Sequence, residues 1–312
     1  MKRVGNIYNK LLDINNIMAS YDEVIKNTRN KRLVVYFNNY KCINIYKIYN
    51  TLKNKDYTPS RLRECIIYEP KMRVIVVQNL FDKTINHLVA REILIPYLCK
   101  GLIDSNVASR KTKGTSYGRY LYFKYRNICD YKYNKYYLLK IDISKYFYSI
   151  DHDILKDKIR RKIKDEDVLC LIDKIIDSYD KGVAIGLYSS QIFSIYYLDS
   201  IDKYIKEVLK IKYYIRFQDD FILIHPSKEY LQYCLKCIII ELDKLKLKVN
   251  NKTKIYKNTE NINFIGIRKN KRYTNYHRTV KKVKKRVEQY YDKRQELSSV
   301  ISSINYIKGR KL

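Results

Sequence analysis

The sequence predicts an α+β fold with an antiparallel sheet. Three observations lead there: β-branched hairpins at residues 64–78 and 212–226, a separate apolar strand at 136–143, and helical periodicity over most of the rest. The order is helices, hairpin, helices, strand, helices, hairpin, helix, strand and basic helices.

Residues 1–56 read as polar-interrupted helices, as in NIYNKLLDINNIMASYDEVIKN. In ECIIYEPKMRVIVVQ, residues 64–78, each arm is β-branched or aromatic, and Glu69-Pro70-Lys71 supplies the turn. Residues 80–100 have helical periodicity that Pro96 is expected to break. The run YYLLKIDI, residues 136–143, ends at an acid and reads as a strand. Helices are expected over 151–178, and SQIFSIYYLDSIDKYIKEVL, residues 190–209, reads as an amphipathic helix. Residues 212–226 read as strand, turn and strand around Asp219-Asp220, and residues 228–247 as a helix. A very basic helical segment runs from Thr279 onward.

A chain of 312 residues can hold one large domain or two or three subdomains. Its 64 Lys and Arg stand against 32 Asp and Glu, a formal net charge of +32. Such a charge repels itself unless a polyanion neutralises it, which points to nucleic acid. Part of the richness in Lys, Ile, Asn and Tyr reflects what AT-rich coding favours, so the 34 tyrosines are not 34 stacking platforms. Seven scattered cysteines give no disulfide framework and suggest a reducing compartment. Cys234 and Cys237 fall in an apolar helical pattern and read as a buried helix face, not a zinc site. The N-terminus lacks the apolar core of a signal peptide, and no apolar run is long enough to cross a bilayer, so a cytoplasmic protein without a membrane partner is expected.

The chemistry lies in LLKIDISKYFYSIDHDIL, residues 138–155, and YYIRFQDDFILI, residues 213–224. An Asp-Asp pair between strands is usually a polar turn, because Asp side chains satisfy their own turn amides. Asp142 changes that reading, since it lies at the exit of another apolar strand. Neighbouring strands would bring Asp142 and Asp219 together in a self-repelling cluster that hard divalent cations neutralise. Two such ions about 3.5–4 Å apart can clamp the attacking and leaving oxygens of an in-line phosphoryl transfer.

These two segments resemble motifs A and C of the palm domain of reverse transcriptases. Asp142 would be the metal ligand of the first. Phe217-Gln218-Asp219-Asp220 stands where the family has Y-x-D-D; the Tyr-to-Phe departure keeps the aromatic packing and loses a hydroxyl. The resemblance extends from about residue 61 to residue 308. Lys71-Met72-Arg73 resembles the motif whose basic side chains meet the incoming triphosphate, and residues 102–120, with Arg110, the next fingers motif. Gly182-Val-Ala-Ile-Gly186-Leu-Tyr-Ser-Ser190-Gln191 resembles motif B. Asn250-Asn-Lys252-Thr253 resembles motif D, whose Lys protonates pyrophosphate, and Phe264-Ile265-Gly266 resembles motif E, the primer grip. Phe147, five residues after Asp142, resembles a steric gate that excludes a 2′-hydroxyl; a core aromatic is the bland alternative.

The resemblance implies a right-hand polymerase with an N-terminal helical extension at 1–56, fingers at 57–138, palm at 139–267 with interleaved fingers elements, and a short basic helical thumb at 268–312. In that last segment fifteen Lys or Arg face three acids, and Val280, Val283 and Val287 share one helical face. It implies two Mg²⁺ ions, with Mn²⁺ as a substitute, on Asp142, Asp219, Asp220 and the backbone carbonyl of Ile143. The expected catalytic set is Asp142, Asp219, Asp220 and Lys252. The expected substrate contacts are Lys71, Arg73, Arg110, Phe147, Gly186, Ser190, Gln191 and Gln218. Expected partners are template RNA, a DNA or RNA primer, dNTPs and a small basic accessory protein. The wording Ile185-Gly186-xxx-Ser190-Gln191, with residues 82–115 and 302–309, is similar to diversity-generating retroelement enzymes, which implies error-prone copying of a template RNA. An antiphage-defence reverse transcriptase and a non-catalytic RNA-binding scaffold are the alternatives.

Overall fold

The computed structural model describes residues 3–67 and 72–266, together with 283–285, 287, 288, 290–292 and 301. Four helices come first: α1 (Asn9–Leu12), α2 (Ile14–Asn27), α3 (Lys31–Asn39) and α4 (Lys41–Lys53). Asp13 and Asn30 cap α2 and α3 by accepting from the Asn15 and Leu33 amides. Leu11, Ile17, Tyr21, Val24, Ile48 and Leu52 bury the inner faces of α1, α2 and α4, whereas α3 buries no residue. The segment before α1 is fastened far along the chain. The Asp165 carboxylate accepts the Ile7 and Tyr8 amides at 2.7 and 3.1 Å.

The hairpin comprises β1 (Arg63–Ile67) and β2 (Arg73–Val77), paired antiparallel from Arg63–Val77 to Ile67–Arg73. Its expected turn, Glu69-Pro70-Lys71, lies outside the described residues. Next, α5 (Leu80–Val89) runs through a π-helical turn at Ala90–Leu94 into α6 (Ile95–Leu98). Pro96 therefore does not break the helix. It occupies the first turn of α6, where no amide donor is needed, and the widened turn before it relieves the clash of its ring with the preceding turn.

After α7 (Thr115–Lys132) come β3 (Tyr137–Asp142), α8 (Tyr146–Ser149), α9 (His152–Arg160) and α10 (Glu166–Asp177). The chain continues with α11 (Tyr188–Tyr197), α12 (Asp199–Lys203), β4 (Tyr213–Phe217), β5 (Asp220–His225), α13 (Lys228–Asp243) and β6 (Lys254–Lys257). The stretch expected as one amphipathic helix over 190–209 is divided at Leu198, whose φ and ψ are −92° and 8°. Its first half, α11, is no surface helix. Gln191 is its one exposed residue, because the helix runs through the middle of the molecule.

The main sheet has the order β4-β5-β3-β6, antiparallel throughout. Both faces are covered, which explains apolar runs in place of clean alternation. Leu139, Ile141, Tyr214, Phe221 and Leu223 enter the larger core with the helices from α9 to α13. Leu138, Ile215, Ile222 and Ile224 enter a second core with Leu121 and Tyr122 of α7 and with Phe264. On α13, Cys234 is buried in line with Leu231, Ile238 and Leu242, as the helix-face reading expects. Among the described residues no helix is long and apolar enough to cross a membrane. The basic C-terminal segment lies largely outside the described residues; within it Val283 and Val287 are helical, and Val283 is buried.

Candidate active site

At one end of the sheet the second core gives way to charge. Along β3 the residues on that face are Leu138, Lys140 and Asp142, and the register sets Asp142 opposite Asp220. Asp219 occupies the tight turn between β4 and β5. Burial raises its carboxyl above the ordinary range and Asp142 adds to this, against Arg73 and Arg216. Asp220 is pushed up to about 7 by burial, although Lys140 beside it opposes the rise. The Lys140 ammonium donates to Asp220 at 3.0 Å and to the Asn263 carbonyl at 2.7 Å. The other Asp220 oxygen is buried without a partner.

Asp142 thus lies across the strands from Asp220 and adds its charge to both Asp219 and Asp220, while Asp220 is also held by Lys140. Among the described residues no three acidic, His or Cys side chains converge on one point. Half-buried carboxylates that repel one another still fit a hard divalent cation. The Ile143 carbonyl fits the same role. The backbone bonds flanking it, Asn250 to Asp142 at 2.7 Å and Ser144 to Lys248 at 2.9 Å, leave it out of that pairing.

The turn is held from behind by a residue that sequence reasoning passed over. Arg216 and Asp202 of α12 form an ion pair in which both side chains are 0% exposed. Arg216 also donates to the Gln218 carbonyl at 2.9 Å and to the Ile195 carbonyl at 2.9 Å. Gln218 has φ of +58°, a left-handed conformation that a non-glycine residue enters at some cost. Its side chain accepts from Ser194 of α11 at 2.7 Å and donates to Ser109 at 3.0 Å. Gln218, expected as a substrate contact, thus ties the carboxylate turn to α11 and to the 102–113 loop. The signal was present: an Arg within the apolar run YYIRFQDDFILI needs a buried partner.

Around the carboxylates stand the other expected residues. Arg73 begins β2, is exposed, and reaches Asp219 electrostatically. Lys71 lies outside the described residues. Arg110 does not face the cleft as expected. Its guanidinium donates to the carbonyls of Ile103 at 2.7 Å and Asn106 at 3.0 Å, closing its own loop. Gly182 and Gly186 both have positive φ, and each meets another segment's backbone closely. A Cβ on Gly182 would lie 2.2 Å from the Phe147 carbonyl, and one on Gly186 would lie 2.4 Å from that of Val76. The Val76 amide donates to the Ile185 carbonyl at 2.7 Å, so the loop before α11 docks on the hairpin. That contact explains Gly186 without a substrate. Ser190, expected as a substrate contact, is only 3% exposed because α11 is enclosed on that side. Gln191 is exposed, beside Ser109 at 3.4 Å. Asn86 of α5 fixes the start of α11, accepting the Ser189 amide at 3.0 Å and donating to the Ser189 hydroxyl at 2.8 Å. Phe147, on α8, is half-buried and meets the Tyr146 ring edge-on at 5.8 Å.

Lys252 is exposed in the turn behind Asp142; its amide donates to the Asn250 side chain at 3.1 Å. The Phe264 ring is core, 1% exposed and 5.6 Å from the Tyr122 ring. What the Phe264-Ile265-Gly266 segment presents is its backbone turn, with Ile265 and Gly266 both at positive φ. Arg119 of α7, absent from the sequence reading, donates twice to the Ile265 carbonyl, at 3.2 and 3.0 Å.

The sequence profile of the family described as "Reverse transcriptase (RNA-dependent DNA polymerase)" matches residues 53–268. No curated protein matches the chain. Similar solved structures include apo telomerase from Candida tropicalis truncated from its C-terminal domain, at 18% identity over 70% of this chain and 56% of that one, with a TM-score of 0.51. Telomerase from Candida albicans in complex with a TWJ fragment of telomeric RNA matches at 15% identity over 69% and 45%, with a TM-score of 0.50. Apo telomerase from Candida tropicalis matches at 19% identity over 68% and 47%, also at 0.50. At such identities the likeness shows the fold alone, which is that of a right-hand polymerase. The chain spans about half the length of these telomerase chains.

Proposed function

The chain belongs to the reverse transcriptase (RNA-dependent DNA polymerase) family, and from that premise we propose that it copies an RNA template into DNA at the Asp142–Asp219 pair. The observation that carries the proposal is the mutual repulsion of these two half-buried carboxylates at the end of the sheet, with Arg73 acting electrostatically on Asp219. Divalent cations held by Asp142, Asp219 and the Ile143 carbonyl, Mg²⁺ first and Mn²⁺ as a substitute, would supply charge stabilisation at the transferred phosphoryl group. Arg73, with Lys71, orients the incoming triphosphate. Phe147 lies under its sugar and excludes the 2′-hydroxyl. Lys252 delivers a proton to the departing pyrophosphate. The turn at Ile265-Gly266 positions the primer terminus. Residues 57–138 are assigned to the fingers, 139–267 to the palm and 268–312 to a thumb that grips the duplex by its phosphates.

The template is assigned to a retroelement RNA of the diversity-generating type, copied with low fidelity and with a small basic accessory protein. This rests on the Ile185-Gly186-xxx-Ser190-Gln191 wording and on the likeness of residues 82–115 and 302–309. A non-catalytic scaffold would have no use for half-buried acids that repel one another. Primer extension on an RNA template with dNTPs and Mg²⁺ tests the proposal. Asp142→Ala and Asp219→Ala are expected to abolish extension and leave RNA binding nearly intact. Substantial residual synthesis in either variant would place the chemistry elsewhere.

A further inference from the structure

The N-terminal helices carry a surface that the catalytic reading does not use. Between Glu23 and Asp56 the chain has eight Lys or Arg and no acid. Lys41 and Lys55 are paired with Asp22 and Asp167. Arg29, Lys31, Arg32 and Lys47 are exposed, and among the described residues no carboxylate pairs with them. Among these cations stand three open rings: Tyr36 is 68% exposed, Tyr40 51% and Tyr46 66%. Tyr36 and Tyr40 meet edge to face with centroids 5.7 Å apart, which leaves each ring at least one face open for a further stack. The support beneath is firm. Phe37 stacks on buried Tyr21 at 5.0 Å, and the Tyr21 hydroxyl donates to the Phe37 carbonyl.

The surface adjoins a groove beside the β1–β2 hairpin. Leu33 of α3 lines this groove of about 1200 Å³ together with Arg61, Arg63, Val77 and the acids Glu64 and Asp180. One wall of it is the end of the hairpin where Arg63 pairs with Val77. Open aromatic faces beside exposed cations, on a stretch without an acid from Val24 to Lys55, suit unstacked bases on a polyanionic backbone, because every base has a π face and every phosphate a charge. A protein partner would be served by the apolar side chains Val35 and Ile43, but not by four uncompensated cations in the same patch.

We propose that Tyr36, Tyr40 and Tyr46, with Arg29, Lys31, Arg32 and Lys47, form a stacking track for single-stranded nucleic acid, which holds the unpaired template before it enters the groove. The assignment of the strand to a template rests on the proposed polymerase function; the binding does not.

The test uses the full chain and two primer–templates with the same duplex, one blunt and one with an unpaired template extension of about 15 nucleotides. Binding is read by fluorescence anisotropy without nucleotides, so failure of extension would count against the polymerase reading and leave this result to stand alone. Replacing the three tyrosines with Ala is expected to weaken binding of the extended substrate at least tenfold and leave the blunt one unchanged. Replacing them with Phe should restore binding, since stacking needs the ring and not the hydroxyl. Tyr131→Ala, at a ring 92% exposed elsewhere, should have no effect. RNA and DNA extensions, compared side by side, identify which strand is held. Equal loss on both substrates would overturn the track. So would unchanged binding, including unchanged binding accompanied by a shift from dimer to monomer on gel filtration, which would assign the patch to self-association.

Discussion

Replacing Arg216 with Met should show how much of the catalytic turn's support resides in one buried cation. In the native protein the Asp202 carboxylate receives Arg216 at 2.7 and 2.5 Å, the Tyr214 hydroxyl at 2.6 Å and the Asn106 amide at 3.3 Å. The variant retains the last two and leaves a fully enclosed anion without its counterion. Breaking such a pair costs about 3–5 kcal/mol. The Ile195 and Gln218 carbonyls lose their donor as well, at about 1–3 kcal/mol each if water does not replace it. These terms overlap, so we expect a net loss of about 4 kcal/mol, a large share of the roughly 5–15 kcal/mol that holds a domain folded. Urea denaturation followed by circular dichroism reads it as a lower midpoint at unchanged slope. The double variant Arg216→Met/Asp202→Leu removes both charges. It should recover all but about 2 kcal/mol, the remainder being Tyr214 and Asn106 without an acceptor. A single-variant loss below about 1 kcal/mol would refute the reasoning. A double variant as unstable as the single would assign the stabilisation to the carbonyl contacts instead.

Three further outcomes are expected. Phe147→Ala should raise the ratio of ribonucleotide to deoxyribonucleotide incorporation by tenfold or more, about 1.4 kcal/mol of lost discrimination; an unmoved ratio would make Phe147 a core residue only. Arg73→Ala should raise the apparent KM for dNTPs, and weaker RNA binding at unchanged KM would move Arg73 to the template path. Burial lowers the Lys158 ammonium to about 8, with its nitrogen donating to the Ser200 hydroxyl at 2.8 Å. The unfolded chain then binds the extra proton between about pH 8 and pH 10, so this group makes the protein more stable as pH rises through that window. Lys158→Met should stabilise at pH 7 by about 1–3 kcal/mol, with the advantage shrinking towards pH 10 in paired thermal melts. A constant difference across that range would contradict the assignment.

Local pattern carried much of this fold. The hairpins at 64–78 and 212–226 and the strand before Asp142 were legible because β-branched runs bounded by turn residues have few other uses. That the strand ending at Asp142 lies beside the Asp219-Asp220 hairpin followed from asking which strands would be neighbours. The missed features depend on what lies across the molecule. Pro96 sits in an uninterrupted helix because a π-helical turn precedes it, and a widened turn has no sequence periodicity of its own. The second half of 190–209 has the expected stripe, but α11 is enclosed by α5, α6, α9 and α12, so its serines are interior. Arg110 was placed by motif position, yet only the loop's own carbonyls reveal where its guanidinium points. The pairing of Lys140 with Asp220 was readable in principle. Both lie on one face of adjacent strands once the register is known, and the register is a tertiary fact.

The close fit at Gly186 makes that residue a length standard. Its missing side chain lets the β1–β2 hairpin sit against the loop before α11 with no atom between them. A single methyl group there would act as a shim, pushing the hairpin outward by about an ångström before ordinary van der Waals separation is reached. Arg73 would ride outward with it, away from Asp219. A residue without a side chain would in this way set the gauge of the cleft.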